Sequence, residues 1–373
     1  MSISPTKRWH IHEPAPDVFL NSVSDHPLLS QVLYNRGLRD PEEVSAFLRM
    51  DDAVIENPYR LQDMVPAVTR ILQAIEQEET VCIYGDFDAD GVTATALLVN
   101  ALQVCGAHVG RYIPNRVDEG YGLNIDALER LAASADLLIT VDCGIRSVTE
   151  VQHAITLGLD IIVTDHHSVG PELPPALAVI NPRRQDDSST FDALAGVGVA
   201  YRLAQAVIRV VSQQRNSPIS SEEGVELEEQ LLDLVAIGTV ADIMPLNGDN
   251  RSLVQRGLIQ LNQTQRLGLQ TLFTTADLRP GHIIASDIGF KLGPRINAAG
   301  RLGESGVAYD LLRTSDPADA YNYAARLEAL NQERRLLTTE SLLEAEQQLA
   351  EQVTDEPALV LVASERFQPG IVG

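Results

Sequence analysis

The sequence predicts an α/β fold, in which a five-stranded parallel sheet is flanked by helices and followed by a helical extension and one long helix. Short apolar runs alternate with helical stretches from about residue 80, which is typical of βαβ units. From about residue 193 the pattern becomes mainly helical. Between Pro317 and Pro357 no glycine or proline interrupts the chain, which predicts a single helix of about 37 residues.

The composition is that of an ordinary globular protein. The 373 residues are 45% apolar and 21% charged, which excludes wholesale disorder and low-complexity structure. No apolar run reaches the roughly 18 residues of a membrane span, and the N-terminus lacks the apolar stretch of a signal peptide. We therefore expect a cytoplasmic protein. Cys82, Cys105 and Cys143 share no redox or metal-binding spacing and are expected to be reduced packing residues.

The charge balance limits the class of partner. The 28 basic and 52 acidic residues give a net charge of −24, which argues against the broad basic face that non-specific duplex binding requires. Only Lys7 and Lys291 are lysines, and the other 26 basic residues are arginines, whose planar fork matches phosphate oxygens. A local polyanion site is therefore compatible with the sequence.

Five apolar runs are the candidate strands. They are Val81–Gly85, His108–Ile113, Asp136–Val141, Ile161–Thr164 and Ala178–Ile180. The helix-compatible segments between them are Thr93–Val104, Ile125–Ala133 and Ser147–Leu157. Open α/β sheets gather function at the carboxyl ends of their strands, so the residues just after each run are the ones to inspect.

The domain organisation follows from the same pattern. Residues 1–79 contain a short helix near Pro41–Met50 and are expected to form an N-terminal extension packed on the core. Residues 80–182 form the sheet domain, and residues 183–315 complete it with helices. Ser315-Asp316-Pro317 is a strong helix start, so residues 316–353 form a connecting helix. Residues 354–373 begin a second domain that is mostly absent.

The residues that follow the strands are unusually acidic. The segments are Gly85-Asp86-Phe87-Asp88-Ala89-Asp90-Gly91, Asp142-Cys143-Gly144 and Asp165-His166-His167, and a separate apolar run leads to Gly238-Thr239-Val240-Ala241-Asp242. The first segment is not an EF-hand loop, because Leu97 stands where a bidentate glutamate is required.

Two interpretations of these aspartates are possible. Asp142 or Asp242 taken singly is also a common helix N-cap. All four segments together favour a metal site, because carboxylates within a few ångströms repel one another and require a cation. Aspartate and histidine without cysteine suit Mn²⁺ and also admit Mg²⁺ or Zn²⁺. Two such ions form the usual clamp for phosphoester hydrolysis, which is the reaction class that the sequence predicts.

The order D-x-D-x-D-G, V-D-x-G, D-H-H and G-T-V-A-D resembles the DHH phosphoesterase family, which the third motif names. The additional segments Tyr112–Arg116, Glu119–Gly122 and Gly293–Arg301 are similar to those of its members that degrade single-stranded DNA from the 5′ end. The resemblance implies a DHH-type sheet domain and two manganese ions, with Mg²⁺ also possible, bound by Asp86, Asp88, Asp90, Asp142, His166 and Asp242. It implies further that Asp142 bridges the ions, that His167 faces the scissile phosphate and that Asp165 orients the histidine pair.

Five residues are candidates for nucleic-acid binding. Arg116, Arg295 and Arg301 could bind phosphates, Tyr121 could stack on an unpaired base, and Asn297 belongs to the same segment as the last two arginines. The alternative is that the arginines form ion pairs with Glu304 and other acids and that the tyrosine packs in the core.

The end of the chain departs from the family pattern. Ala358–Ala363 predicts the first strand of a second domain, but the chain stops at Gly373, where relatives continue, which indicates a truncated chain. The predicted function is a single-strand-specific 5′-to-3′ DNA exonuclease of DNA repair and recombination. Its expected partners are single-stranded DNA, a single-strand-binding protein and a helicase. The alternatives are a DHH phosphodiesterase for short oligonucleotides or cyclic dinucleotides, and a non-catalytic nucleic-acid-binding scaffold.

Overall fold

The computed structural model describes residues 10–23, 26–48, 57–116, 118–189, 191–352 and 359–372. The chain divides into two compact units at residue 55. The first unit contains the helices α1 (Asp17–Val23), α2 (Pro27–Asn35) and α3 (Pro41–Leu48) around a small core of Ala15, Phe19, Leu33 and Val44. The helix expected near residues 41–50 is present over its described part, and residues 49 and 50 lie outside the described residues.

The second unit is built on the expected sheet of five parallel strands. In spatial order β2-β1-β3-β4-β5, the strands are β1 (Thr80–Gly85), β2 (His108–Tyr112), β3 (Leu137–Val141), β4 (Asp160–Thr164) and β5 (Ala178–Ile180). The residues of β3 are all buried, and so are nearly all of those in β1 and β4, as a parallel sheet covered on both faces requires. The five strands agree with the predicted bounds to within about one residue at each end.

Helices cover the two faces of this sheet. One face carries α4 (Met64–Glu76), α5 (Ala89–Val104) and α8 (Gly196–Val211), and the other carries α6 (Ile125–Ala132) and α7 (Val148–Thr156). The connection after β1 leads to β2 on one side, whereas the connection after β3 leads to β4 on the other. The strand order therefore reverses between β1 and β3, which opens a crevice at their carboxyl ends.

The helical segment expected from residue 193 is also present. After α8 it contains α9 (Ser221–Gln230), α10 (Leu232–Ala241), α11 (Gly248–Asn262), α12 (Leu267–Thr275), α13 (Ala285–Asp287), α14 (Gly293–Arg301) and α15 (Ser305–Arg313). A wider, π-helical turn over Ile288–Leu292 joins α13 to α14. Most of α10 is buried, so this apolar helix carries its C-terminal end to the edge of the sheet.

The long helix is α16 (Pro317–Gln352), and its buried residues stop at Asn331. Its first half packs on α12, α14 and α15, and its second half is exposed or half-buried. The strand expected over residues 358–363 is absent from its described part, residues 359–363, where no neighbouring strand is available for pairing. The short helix α17 (Pro369–Val372) follows. Among the described helices, none is long and apolar enough to cross a membrane.

The packing of α5 leads to a stability prediction. Leu98 of α5 is fully buried, so we expect Leu98→Ala to lower the free energy of unfolding by about 2–5 kcal/mol, because the truncation leaves a cavity. Val225→Ala on α9, where the side chain is 63% exposed, should change it by less than about 0.5 kcal/mol. Denaturant unfolding in EDTA measures both values, and equal losses would contradict the core position of Leu98.

Candidate metal centre

The last residues of three neighbouring strands pair with one another, and this register brings the residues of the site together. Gly85 of β1 pairs with Val141 of β3, and Val141 pairs with Thr164 of β4. The residues that follow in the chain are Asp86, Asp142 and Asp165. Three acidic loops therefore begin side by side at the edge where open α/β sheets bind their ligands.

The loop after β1 delivers its aspartates in different directions. Asp88 caps α5, because its carboxylate accepts N–H bonds from Asp90 and Gly91 at 2.9 and 3.0 Å. Asp90 accepts N–H bonds from Gly196 and Val197 at the start of α8, at 2.7 and 2.8 Å. A helix N-terminus favours a negative charge, so α8 stabilises the carboxylate of Asp90.

Asp142 occupies a backbone conformation that few residues adopt. Its φ is +62°, in the left-handed region, which aspartate tolerates better than most residues, and the residue is buried. Gly196 of α8 lies against its carboxylate, and a Cβ on Gly196 would be 2.5 Å from Oδ1 of Asp142. Glycine at position 196 is therefore required for this approach.

His166 lies at the centre of the acidic cluster. Its Nε2 is 3.1 Å from Oδ1 of Asp142, 3.6 Å from Oδ2 of Asp242 and 3.8 Å from Oδ2 of Asp90. Asp242 ends α10, so a helix from the second half of the unit supplies a carboxylate to the sheet edge. Neutral imidazole and carboxylate at these distances form a typical mixed ligand set for a divalent metal ion.

The candidate ligand atoms fall into three groups whose members lie within 4.8 Å of one another. The groups are Asp86, Asp88 and Asp142; Asp90, His166 and Asp242; and Asp142, His166 and His167. The structure thus brings together the six residues expected as metal ligands. Asp142 belongs to two groups, which is the position that a bridging ligand would need.

The cluster is electrostatically unfavourable by itself. Burial and the neighbouring Asp88 raise the pKa of Asp86 to about 8, and the same causes raise the pKa of Asp242 to about 6. Burial, with nearby carboxylates, also holds the pKa values of Asp90 and Asp142 well above the ordinary range. Burial and the adjacent His167 lower the pKa of His166 to about 4, so its ring is neutral at pH 7.

Two buried carboxylate oxygens indicate that the cluster requires a cation. Oδ1 of Asp86 and Oδ1 of Asp142 accept no hydrogen bond within the described part of the chain. A buried acceptor without a partner is costly, and a divalent cation would both supply the partner and offset the repulsion. These residues therefore fit a centre for Mn²⁺ or Mg²⁺ by their chemistry.

His167 lies at the edge of the cluster and is held by Asp165. Its Nδ1 is 2.8 Å from Oδ1 of Asp165, which also accepts the N–H of His166 at 2.7 Å. Burial acts to raise the pKa of Asp165, but its hydrogen bonds, foremost that from His167, outweigh burial and lower it. The same hydrogen bond raises the pKa of His167. Because Nδ1 is engaged, Nε2 is the nitrogen left to face a substrate.

Tyr121 lies beside this histidine, and Arg116 lies over the ring of Phe87, which Tyr121 also contacts. The hydroxyl of Tyr121 is 3.3 Å from Nδ1 of His167, and its ring meets Phe87 edge-on with the centroids 6.4 Å apart. The guanidinium carbon of Arg116 is 5.1 Å from the centroid of the Phe87 ring. Tyr121 is 58% exposed, so it is not a core residue.

Two residues of α14 have structural partners that the sequence did not reveal. Arg295 is buried and pairs with Glu328 of α16 at 2.6 Å, which favours the ion-pair alternative over the predicted phosphate contact. Asn297 accepts the N–H of Ala89 at 2.7 Å and so fixes the start of α5 beside the site. Both side chains hold the frame of the site together.

Arg301, at the end of α14, contacts a backbone carbonyl rather than a carboxylate. It donates to the carbonyl of Gly370 at 2.9 Å, and the acid expected to pair with it, Glu304, pairs with Arg326 instead. Burial and the nearby charge of Arg116 lower the pKa of Arg301. A cationic group therefore remains close to the acidic cluster.

The glycines that allow the elements to approach one another are functional positions that the sequence pattern does not reveal. Gly196 lies against Asp142, and a Cβ on Gly238 of α10 would lie 2.8 Å from Oδ1 of Asp90. Gly196-x-Gly198 is visible in the sequence, but local pattern cannot show which distant side chain lies against a glycine.

Comparison with known proteins gives these residues a family context. The family model described as "DHH family, N-terminal domain" matches residues 80–239. The single-stranded-DNA-specific exonuclease RecJ of Bacillus subtilis (strain 168) is 39% identical over 371 residues, which cover 98% of this chain and 45% of that protein. The chain spans about half the length of the curated relatives it matches.

Solved structures of similar proteins match as well. RecJ of Thermus thermophilus, in complex with Mn²⁺, matches with a TM-score of 0.80 and 30% identity over 98% of this chain and 51% of that chain. An exonuclease RecJ bound to manganese matches with a TM-score of 0.72 and 34% identity, over 83% of this chain and 75% of that chain. The similarity therefore extends beyond the sheet into the helical segments.

The close approach of Gly196 to Asp142 can be tested by metal binding. We expect Gly196→Ala to weaken Mn²⁺ binding about 10- to 100-fold, because the new Cβ displaces the carboxylate of Asp142. Gly198→Ala in the same helix is the matched control, since its Cβ would meet only a side-chain carbon of Leu194 at 3.3 Å. Calorimetric titration measures both affinities, and equal values would contradict a role for Asp142 in binding the ion.

The raised pKa values predict how stability depends on pH. Unfolded aspartates release their protons near pH 4, whereas Asp86 and Asp242 retain them to about pH 8 and about pH 6 in the fold. The folded state binds more protons across this window, so the metal-free protein should lose stability as the pH rises from about 4 to 8.

The measurement is the melting temperature in EDTA as a function of pH. Asp86→Asn removes one of the raised carboxyl titrations and should make the decrease up to about pH 8 shallower, while Asp90 and Asp142 still contribute to it. The general repulsion of an acidic protein contributes almost equally to both proteins, so the comparison isolates Asp86. Parallel curves would exclude Asp86 as a source of the slope.

Proposed function

Because this chain belongs to the RecJ branch of the DHH family, we propose that it forms the catalytic core of a metal-dependent exonuclease that removes nucleotides from the 5′ end of single-stranded DNA. The observation that carries the proposal is the cluster of ligand atoms at the sheet edge, which combines residues of all four acidic motifs. Carboxylate and histidine clusters that hold paired divalent ions suit the hydrolysis of phosphodiesters.

The proposed centre holds two ions. Asp142 would bind both, because it shares one ligand group with Asp86 and Asp88 and its Oδ1 lies 3.1 Å from Nε2 of His166, which belongs to the group with Asp90 and Asp242. The remaining ligands are Asp86 and Asp88 for one ion and Asp90, His166 and Asp242 for the other. When bound, Mn²⁺ or Mg²⁺ would polarise the phosphoryl group and lower the pKa of an attacking water.

His167 would act on the phosphate directly. Asp165 accepts a hydrogen bond from Nδ1, which leaves Nε2 free to donate to a phosphate oxygen. The raised pKa of His167 favours the protonated ring, and a charged donor is most effective where negative charge grows in the transition state. Asp165 is then a positioning residue, because it acts through the histidine.

The surroundings favour a single strand over a duplex. The exposed ring of Tyr121 offers an unpaired base a stacking surface, and Arg116 beside it can bind a backbone phosphate. The net charge of −24 is unfavourable for a duplex, which needs a broad cationic face. A helicase and a single-strand-binding protein are the proposed protein partners, because an enzyme of repair and recombination that needs an unpaired end depends on proteins that expose it.

A digestion assay tests the proposal. With Mn²⁺, we expect progressive shortening from the 5′ end of a 3′-labelled, 5′-phosphorylated single strand, and no shortening in EDTA. Asp142→Asn should lower the rate on the order of a thousand-fold or more, because the shared ligand is lost while its shape and left-handed backbone are kept. Asp126→Asn, at an exposed position of α6, is the control of equal charge change.

The alternatives give different results in the same assay. A phosphodiesterase for short oligonucleotides or cyclic dinucleotides would hydrolyse a dinucleotide faster than a long strand. A non-catalytic scaffold would bind Mn²⁺ and hydrolyse neither substrate. A wild-type rate in Asp142→Asn would reject the proposed centre.

A further inference from the structure

A cleft of about 450 Å³ adjoins the metal centre on the side of α10 and α14. Its wall includes Ala241, which directly precedes Asp242, and Asn297, which binds the N–H of Ala89 next to Asp88. The cleft is therefore directly adjacent to the candidate metal ligands. Of its lining residues, only Asn297 and Arg301 were candidates for nucleic-acid binding from the sequence.

Two uncommon backbone conformations expose apolar side chains in this cleft. Ile243 has a φ of +58°, which is strained for a β-branched residue, and it is 90% exposed. Phe290 belongs to the π-helical turn Ile288–Leu292 and is 78% exposed. Such turns and strained residues are frequent at functional sites, where they are kept because the exposed side chain is needed.

Arg301 and Arg334 add positive charge to the same cleft. The carboxylates along the facing helix segments are engaged elsewhere, since Glu304 pairs with Arg326 and Glu328 pairs with Arg295. Nε of Arg334 is buried and has no hydrogen-bond partner among the described residues. Burial and the neighbouring Arg301 lower the pKa of Arg334. Within the described part of the chain neither arginine forms an ion pair, and two adjacent cations in a protein of net charge −24 favour an anion there.

We propose that this cleft binds the DNA strand next to the scissile phosphate, with Phe290 and Ile243 contacting a base and with Arg301 and Arg334 binding backbone phosphates. The inference rests on the proposed function and adds to it the residues that hold the strand. An aromatic face combined with arginines is the usual composition of single-strand binding sites, because every base can stack and every nucleotide carries a phosphate. The cavity on the other flank, which Tyr121 and His167 line, belongs to the site already proposed, so the cleft between α10 and α14 would hold a neighbouring part of the same strand.

Binding to a fluorescent oligothymidylate, followed by anisotropy, tests the two parts of the cleft separately. The Asp142→Asn background with Mn²⁺ prevents cleavage during the measurement. Arg334→Ala should weaken binding and reduce the slope of log affinity against log salt by about one, because one phosphate contact is lost. Phe290→Ala should weaken binding about 5- to 100-fold without changing that slope, because stacking releases no counterions.

Two distant positions provide matched controls. Arg215 is exposed beyond the end of α8, and the length of that helix places it more than about 20 Å from the cluster at its start. Tyr321 is 69% exposed and lies about 20 Å before Arg334 along α16. Arg215→Ala and Tyr321→Ala should leave affinity and salt slope unchanged.

The outcomes separate this inference from the proposed function. Unchanged affinity in Phe290→Ala and Arg334→Ala, while the unsubstituted chain still digests single strands, would overturn the cleft assignment and leave the exonuclease in place. Failure of the wild-type chain both to bind and to digest single-stranded DNA would overturn both. An unaltered rise in melting temperature with Mn²⁺, measured for each substitution in the otherwise wild-type chain, shows that the substitutions leave the fold and the metal centre intact.

Discussion

Several carboxylates are buried together at one edge of the sheet. The helix contacts around them and the need for cations both follow from this burial. The level ends of β1, β3 and β4 place Asp86, Asp142 and Asp165 side by side, where like charges repel and water is scarce. The fold compensates only part of this repulsion with its own groups. Backbone N–H groups at the start of α8 bind the carboxylate of Asp90, and Asp88 caps α5. The remaining charge and the unpaired oxygens require cations.

The burial of these carboxylates also explains where the helices α8 and α10 contact the edge of the sheet. The helices α8 and α10 approach the acidic loops through glycines, so that backbone rather than side chain faces Asp142 and Asp90. Asn297 of α14 then holds the start of α5, which ties the helical segment to the first acidic loop. The loop after β3 is tied to the loop after β4 in a similar way, because Asp165 accepts the N–H of Ile145 at 3.0 Å.

The distribution of arginines gives this acidic protein a local preference for a polyanion. Most of the arginines near the site have structural partners, as Arg295 has in Glu328. Arg301 and Arg334 line the cleft beside the candidate metal centre instead. Because the chain as a whole has a net charge of −24, the proposed strand would be attracted only along this narrow path. Such a path suits one flexible strand better than a stiff, doubly charged duplex.

The sheet, the long helix and the residues that form the acidic cluster could be predicted from the sequence. Apolar periodicity and turn residues are local signals, and the aspartates and histidines stand directly after the strands that place them. Which groups meet although they are far apart in the chain is evident from the tertiary structure alone. It directed Arg295 to an ion pair and Asn297 to a helix start, brought Gly196 against Asp142, and exposed Phe290 beside Arg334. The strand expected near the C-terminus did not form in its described part, because strand propensity needs a pairing partner. All of these cases have the same cause. Secondary structure depends on neighbours in the chain, whereas ion pairs, close approaches and clefts depend on neighbours in space.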